Sequence, residues 1–289
     1  MNIPFRRDDA LLSGEVETIA PGVRRLLCNN PSAFTFRGTN TYLIGTGSNV
    51  AVLDPGPVDE AHLAAILAAT SGETITQIVV SHTHRDHSPG VQPLKKITGA
   101  TTYGHGPHVT PGEGGDHSFI PEIRLADGET AEIGGRAVTA IFTPGHCGNH
   151  LCFALDGSGI LFSADHVMAW STSVVSPPDG NMRAYMNSIG KLRAREGIDE
   201  LYLPGHGPSL PDPMPFLDGL AAHRLKRETR IVTALREHGP ATVEALVGPV
   251  YGPLDPRLIA AAGRSMLAQL FMLEEDGAAA REGDAWRLT

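Results

Sequence analysis

The chain is predicted to be an α/β protein with a small, mostly helical unit on its C-terminal side. Three observations carry that prediction. Short β-rich runs alternate with amphipathic helical ones through residue 206. A proline-rich stretch, "PSLPDPMPFLDG" at 208–219, interrupts the alternation. Beyond it the pattern is helix, helix, helix and a short β-like tail.

Residues 18–53 read as strands, with "TNTYLIG" and "SNVAVLDPG" separated by Gly45-Thr46-Gly47. "DEAHLAAILAATSG" has Leu63, Ile66 and Leu67 at helical spacing, and Gly72 sits where a helix C-cap belongs. "TITQIVVSH" is a strand, and a helix is expected to open near Ser88-Pro89, since proline suits a first helical turn. "RAVTAIFTPGH" is a strand ending at His146. "LCFALDGSGILFSADHV" reads as a hairpin turning at Asp156-Gly157 and ending near Asp165. "NMRAYMNSIGKLRAREG" is an amphipathic helix, and "IDELYLPGHGP" is a last strand ending at His206. From Leu220 three helical runs precede "AAAREGDAWRLT", which is the element order of a winged helix. The expected units are 1–212 and 220–289, with the boundary near 212–220.

Composition narrows the function classes. The 289 residues suit one large or two small domains. A hydrophobic fraction of 41% and a charged fraction of 19% are those of an ordinary globular chain. A formal net charge of −9 argues against broad, non-specific adhesion to nucleic acid or membranes. It leaves room for an anionic substrate at a local positive site. Cys28, Cys147 and Cys152 are too few and too irregular for a disulfide framework, which points to a reducing compartment. The first residues hold no apolar stretch of a secretory signal, and no run reaches the ~18–20 apolar residues that span a bilayer. A cytoplasmic protein without membrane contact is expected.

The chemistry concentrates in "VVSHTHRDHSPG", where His82, His84, Asp86 and His87 fall within six positions at the end of an apolar strand. Imidazole and carboxylate are the ligands that zinc, iron and manganese share. Alternate residues such as His82 and His84 can point the same way along an extended loop, while Asp86 and His87 can turn toward a second ion. Three further candidates, His146, Asp165 and His206, stand at other strand ends. A lone histidine at a strand end is a satisfied polar residue; seven ligating side chains at four such ends are a constellation.

That set, His-x-His-x-Asp-His followed by histidine, aspartate and histidine, resembles the metallo-β-lactamase superfamily over about residues 18–210. The resemblance implies an αββα sandwich with two divalent ions at one edge. Zinc is the first expectation, with iron or manganese open. It implies that His82, His84 and His146 hold the first ion, that Asp86, His87 and His206 hold the second, and that Asp165 bridges them. Asp54, in "VLDPG", matches an aspartate that orients a ligating histidine. Such a centre lowers the pKa of bound water toward ~7, so that a metal-bridging hydroxide can attack a polarised bond. Asp86 can also relay protons.

Within the superfamily, zinc β-lactamases with cysteine at the place of Asp165 fit poorly, and Cys147 reads as a small filler beside the site. Flavo-diiron oxidases carry an acidic residue where His84 stands. The layout of "FRGTNTYLIG", "TPGHCGNH", "ADHVMAWSTSVV" and "HRLKRETRIVTAL" is similar to the lactamase-like endoribonuclease subfamily with a C-terminal winged helix. By that resemblance His150 faces the site as proton donor or anion holder, and Asn40 lies near it. Ala164 stands where glycine is common before the bridging aspartate. His166 is expected to point away from the metals, and His105, His108 and His117 to lie in a rim loop.

The implied activity is metal-dependent hydrolysis of an ester-type or phosphodiester bond, with a small molecule or single-stranded RNA as substrate. Residues 220–289 hold nine basic and nine acidic side chains, a formal net charge of 0, which does not favour nucleic acid. Arg224, Lys226, Arg227, Arg230 and Arg236 then form a solvated face. The helical unit can instead shape the substrate channel or form a homodimer. A glyoxalase II-like thioesterase or lactonase is the alternative hydrolase. A mono-iron persulfide dioxygenase and a non-catalytic binding module are the readings from other classes.

Overall fold

A computed structural model describes residues 3–45, 47–112 and 114–289. Thr46, in the turn expected between two strands, and Glu113, in the expected rim loop, lie outside the described residues.

The first sheet is built from β1 (Val16–Ala20), β2 (Val23–Leu27), β3 (Asn40–Ile44) and β4 (Asn49–Leu53). Helix α1 (Glu60–Ala69) then leads to β5 (Thr74–Val79), and α2 (Val91–Thr98) to β6 (Thr101–Gly104) and β7 (Ile123–Arg124). These seven strands lie in sequence order, antiparallel up to β4 and parallel from β4 to β7. The second sheet holds β8 (Thr130–Ile133), β9 (Arg136–Phe142), β10 (Leu151–Leu155) and β11 (Ile160–Ala164). Helix α3 (Met182–Arg193) precedes its last strands, β12 (Leu201–Pro204) and β13 (Leu210–Pro211). β11 and β12 run parallel, because α3 carries the chain back between them.

Strand alternation explains the layers. In β3, Tyr42 and Ile44 point into the space between the sheets while Leu43 points out against α1. In β10, Leu151, Phe153 and Leu155 face inward and Cys152 and Ala154 face α3. Both strands are buried along their whole length, as strands covered on both faces must be. The result is the expected αββα sandwich.

The C-terminal unit comprises α4 (Met214–His238), β14 (Ala241–Thr242), α5 (Val243–Tyr251), α6 (Pro256–Glu275) and the hairpin β15 (Ala279–Glu282)–β16 (Ala285–Leu288). Its core gathers Ile231, Leu246, Met266, Leu270 and Trp286. Helix α4 starts at Met214, six residues before the helical run expected from Leu220. Pro213 and Pro215 read as breakers in the sequence, yet they occupy the cap and first turn, where proline lacks nothing the helix needs. At about 37 Å, α4 is long enough to belong to both cores. Phe216, Leu217 and Leu220 pack under the second sheet, and Ile231, Ala234 and Leu235 pack in the helical unit. Ala268 and Met272 of α6 join the former core too, so the two units share apolar packing.

One backbone feature stands at the end of β11. Ala164 has φ +42°, and the register between β11 and β12 shifts there. A left-handed conformation costs a residue with a Cβ roughly 1–2 kcal/mol. Ala164→Gly should therefore stabilise the fold by about 1 kcal/mol, a rise of about 2 °C in Tm. Equal or lower stability by calorimetry would mean that the position carries no such strain.

Candidate metal centre

The donor residues sit on loops at one edge of the sandwich. His82, His84, Asp86 and His87 follow β5, His146 follows β9, Asp165 follows β11 and His206 follows β12. A strand that ends there delivers its next side chains into the gap between the sheets, which is why residues far apart in sequence converge.

Two donor groups form. His84 Nδ1 lies 3.0 Å from His82 Nε2 and 3.0 Å from His146 Nε2. Asp86, His87 and His206 make the second group, with His87 Nε2 and His206 Nε2 3.3 Å apart and Asp86 Oδ2 3.3 Å from His206 Nε2. Asp165 stands between them. Its Oδ2 is 3.5 Å from His146 Nε2 and 3.3 Å from His206 Nε2, and its Oδ1 is 3.5 Å from His87 Nε2. Gly205 makes this approach possible, since a Cβ there would collide with Asp165 Oδ1 and the His87 ring.

The outward nitrogens of His82, His87, His146 and His206 are already engaged. His87 Nδ1 donates to Asp54 Oδ2 at 2.9 Å, His146 Nδ1 to the Val174 carbonyl at 2.6 Å, and His206 Nδ1 to the Gly38 carbonyl at 3.1 Å. Ser81 Oγ lies 3.0 Å from His82 Nδ1 and itself donates to Asp54. A proton fixed on the outer nitrogen leaves the inner one as a lone pair, the tautomer that a metal ligand requires.

The electrostatics fit divalent ions. Burial, and then the neighbouring imidazoles, hold His82 well below the usual histidine pKa; burial and His84 bring His146 to about 4, so both are neutral. Burial also pulls on His87 and His206, but Asp165 and Asp86 outweigh it, raising His87 well above its usual value and His206 to about 9. The buried carboxylate of Asp165 and the half-buried one of Asp86 thus demand positive charge at this spot. Asp165 Oδ1 is buried without a hydrogen-bond partner among the described residues. A cation between the donors satisfies that oxygen and replaces the protons on His87 and His206.

The other expected residues take supporting positions. Asp54 accepts from the Ser81 backbone and hydroxyl as well as from His87, orienting the loop after β5. Asn40 Nδ2 donates to the carbonyls of Pro204 and Gly207, bracketing His206. His150 was expected to face the substrate and does not. It is fully buried behind Asp165, with Nδ1 against Thr143 Oγ1 and Nε2 accepting the Asp165 backbone N–H. His166 is buried against Tyr185. In the rim loop, His108 pairs with Thr83 and His105 stacks on Phe142.

Asp179 had no signal in the sequence beyond a turn-like "PPDGN". Its Oδ1 accepts from Thr110 Oγ1 and the Gly148 backbone, and its Oδ2 lies 3.7 Å from His84 Nε2. It is the carboxylate next to His84 Nε2, at a longer distance than the hydrogen bond by which Asp54 holds His87.

The donors floor a cavity of about 760 Å³ whose opposite wall is the helical unit. His84, Asp86, His146, Asp165 and His206 are at its base; Tyr251, Leu254, Leu258 and Ala261 lie across from them.

Comparisons with known proteins agree with the fold. The sequence model of the "Metallo-beta-lactamase superfamily" matches residues 34–206, and that of the "Beta-lactamase associated winged helix domain" matches 242–286. An atrochrysone carboxyl ACP thioesterase of Aspergillus chevalieri is 31% identical, covering 82% of this chain and 76% of its own. A beta-lactamase-like protein 2 homolog of Caenorhabditis elegans is 30% identical, covering 82% and 78%. A beta-lactamase domain protein of Burkholderia ambifaria superposes with TM-score 0.80 at 21% identity, over 99% and 97%. Among the described residues no helix is long and apolar enough to cross a membrane.

Two substitutions test the centre. Asp165→Ala should release at least one ion per chain and abolish hydrolysis while the circular dichroism of the fold is kept; unchanged metal content would exclude a bridging role. Asp179→Asn should weaken metal binding about 10–100-fold, the usual effect of losing a carboxylate behind a ligand. An unaltered affinity would reduce Asp179 to a turn residue.

Proposed function

The chain belongs to the metallo-beta-lactamase superfamily and is a hydrolase, and from that premise we propose that it cleaves acyl thioesters, with two zinc ions as its cofactors. The observation that carries this reading is the cavity. Much of its lining is apolar, with Met168 and Trp170 on the donor side and Leu254 and Leu258 on the far wall available to bury an acyl chain. Relatives spanning most of this chain are named ACP thioesterases, which supports the same substrate class.

The ions, when bound, supply Lewis acidity and a water acidified toward ~7. The remaining work falls to the chain. Asp86 reaches the cavity base, where its carboxylate can take a proton from an attacking water. The leaving group decides between substrates. His150 is walled off. His223, on the cavity's far side, is brought to about 4 by burial and the adjacent arginines and is neutral at pH 7. An alkoxide would depart poorly without an acid; a thiolate, with a parent pKa of about 8.5, departs unprotonated. A single-stranded RNA substrate, the competing reading, needs a proton donor or an ion at its leaving oxygen.

The test is metal analysis of purified protein coupled to a substrate panel. Two zinc ions per chain are expected, with kcat/KM for an acyl N-acetylcysteamine thioester about a hundredfold above that for bis-p-nitrophenyl phosphate or a single-stranded RNA. Turnover of the phosphodiesters alone would overturn the reading, as would one iron per chain with oxygen consumption.

A further inference from the structure

The cavity is electrostatically divided. Its acidic groups, Asp86, Asp165 and Asp179, lie with the histidine clusters, whereas Arg224, Arg227 and Arg264 line the wall from the helical unit. Elsewhere in that unit Arg257 pairs with Asp255, Arg281 with Asp284 and Arg287 with Glu282, while Arg230 and Arg236, outside the cavity lining, form no ion pair among the described residues. Among the described residues the three cavity arginines form no ion pair. Arg224 is buried, and its Nε has no hydrogen-bond partner among the described residues.

Two of these guanidinium groups, those of Arg227 and Arg224, are held in place by other means, while Arg264 is exposed at the rim. Arg227 stacks on the Tyr251 ring at 3.8 Å and donates to the Val250 carbonyl at 2.7 Å. Tyr251 Oη donates to the carbonyl of Ala262, two residues before Arg264, which ties the stacked pair to α6. Arg224 lies 5.0 Å from the Tyr185 ring centre and donates to the Ser173 carbonyl. Burial, followed by the charges of Arg230 and Arg224, holds Arg227 below its ordinary pKa. Two fixed guanidinium groups and a third beside them, none ion-paired and all lining a cavity, are a site prepared for an oxyanion.

We propose that Arg227 and Arg264, with the buried Arg224, form an oxyanion subsite that holds an anionic group of the substrate remote from its scissile bond. The inference rests on the thioester reading and sharpens it. The substrate is an acyl thioester that carries either a carboxylate on its acyl part or the phosphate of a pantetheine arm. The winged helix is then a specificity element rather than a nucleic-acid reader, and the anion is neutralised by residues of a different unit from the donor loops.

Two probe pairs distinguish the sources by calorimetric titration of the zinc-loaded protein: glutaramate against valeramide, and S-methyl-phosphopantetheine against S-methylpantetheine. In one pair the charged member should bind about tenfold more tightly, and that preference should vanish in R227Q/R264Q. Arg264 is exposed, so Arg264→Gln alone, which should lose part of the preference, checks that the effect is not one of folding. The pair that shows the preference names the source. No preference in either pair, or a preference that survives both substitutions, overturns the subsite. So does RNA binding that the double substitution abolishes while both pairs remain indifferent. A charge preference without any thioester hydrolysis would remove the proposed reaction and leave the subsite standing.

Discussion

The carboxylate of Asp165 is the constraint around which the rest is arranged. A buried negative charge without compensation is costly enough that a protein normally neutralises it or exposes it. Here three inward nitrogens, from His87, His146 and His206, surround it within 3.5 Å, and a second carboxylate, Asp86, faces His206. That concentration needs cations. The outer nitrogens of His82, His87, His146 and His206 are tied to oxygens so that the inner ones stay free to bind them. Even the backbone bends to the same end: Ala164 takes a left-handed conformation and Gly205 forgoes a side chain to let Asp165 in.

The helical unit is coupled to this centre through contacts that can be followed atom by atom. Arg224 of α4 donates to the Ser173 carbonyl, and Ser173 Oγ donates to the Asp165 carbonyl at 2.5 Å. The same helix packs its first turns under the second sheet and its last turns into the winged-helix core. A cavity shared between two units is thereby held on one continuous element. Its acidic end is the place for chemistry, and its apolar and basic far wall is the place for choosing a substrate.

Much of this was legible in the sequence because ligating residues are few in kind and strand ends are easy to find. The seven donors, from His82 to His206, were readable as a set, and the structure gathers them at one edge. The two-sided burial of β10 follows from its unbroken apolar run, whereas β3 opens on the polar Asn40 and Thr41 and does not show it. Other features were hidden for physical reasons. Asp179 reads as a turn residue, and its partners Gly148 and Thr110 lie 31 and 69 positions away, so only tertiary packing reveals its task. His150 follows a loop whose direction the sequence does not specify, and it turns inward. Proline disguised the start of α4, since the same residue ends one helix and opens another. The cavity arginines looked like a solvated face, because a helix pattern does not say what its neighbours leave uncovered.

The most direct test of the central claim is anomalous diffraction at the zinc edge from crystals of the zinc-loaded protein. Two peaks per chain are predicted, one among His82, His84 and His146 and one among Asp86, His87 and His206, with Asp165 between them. A single peak, or a metal that leaves Asp165 without contact, would contradict it.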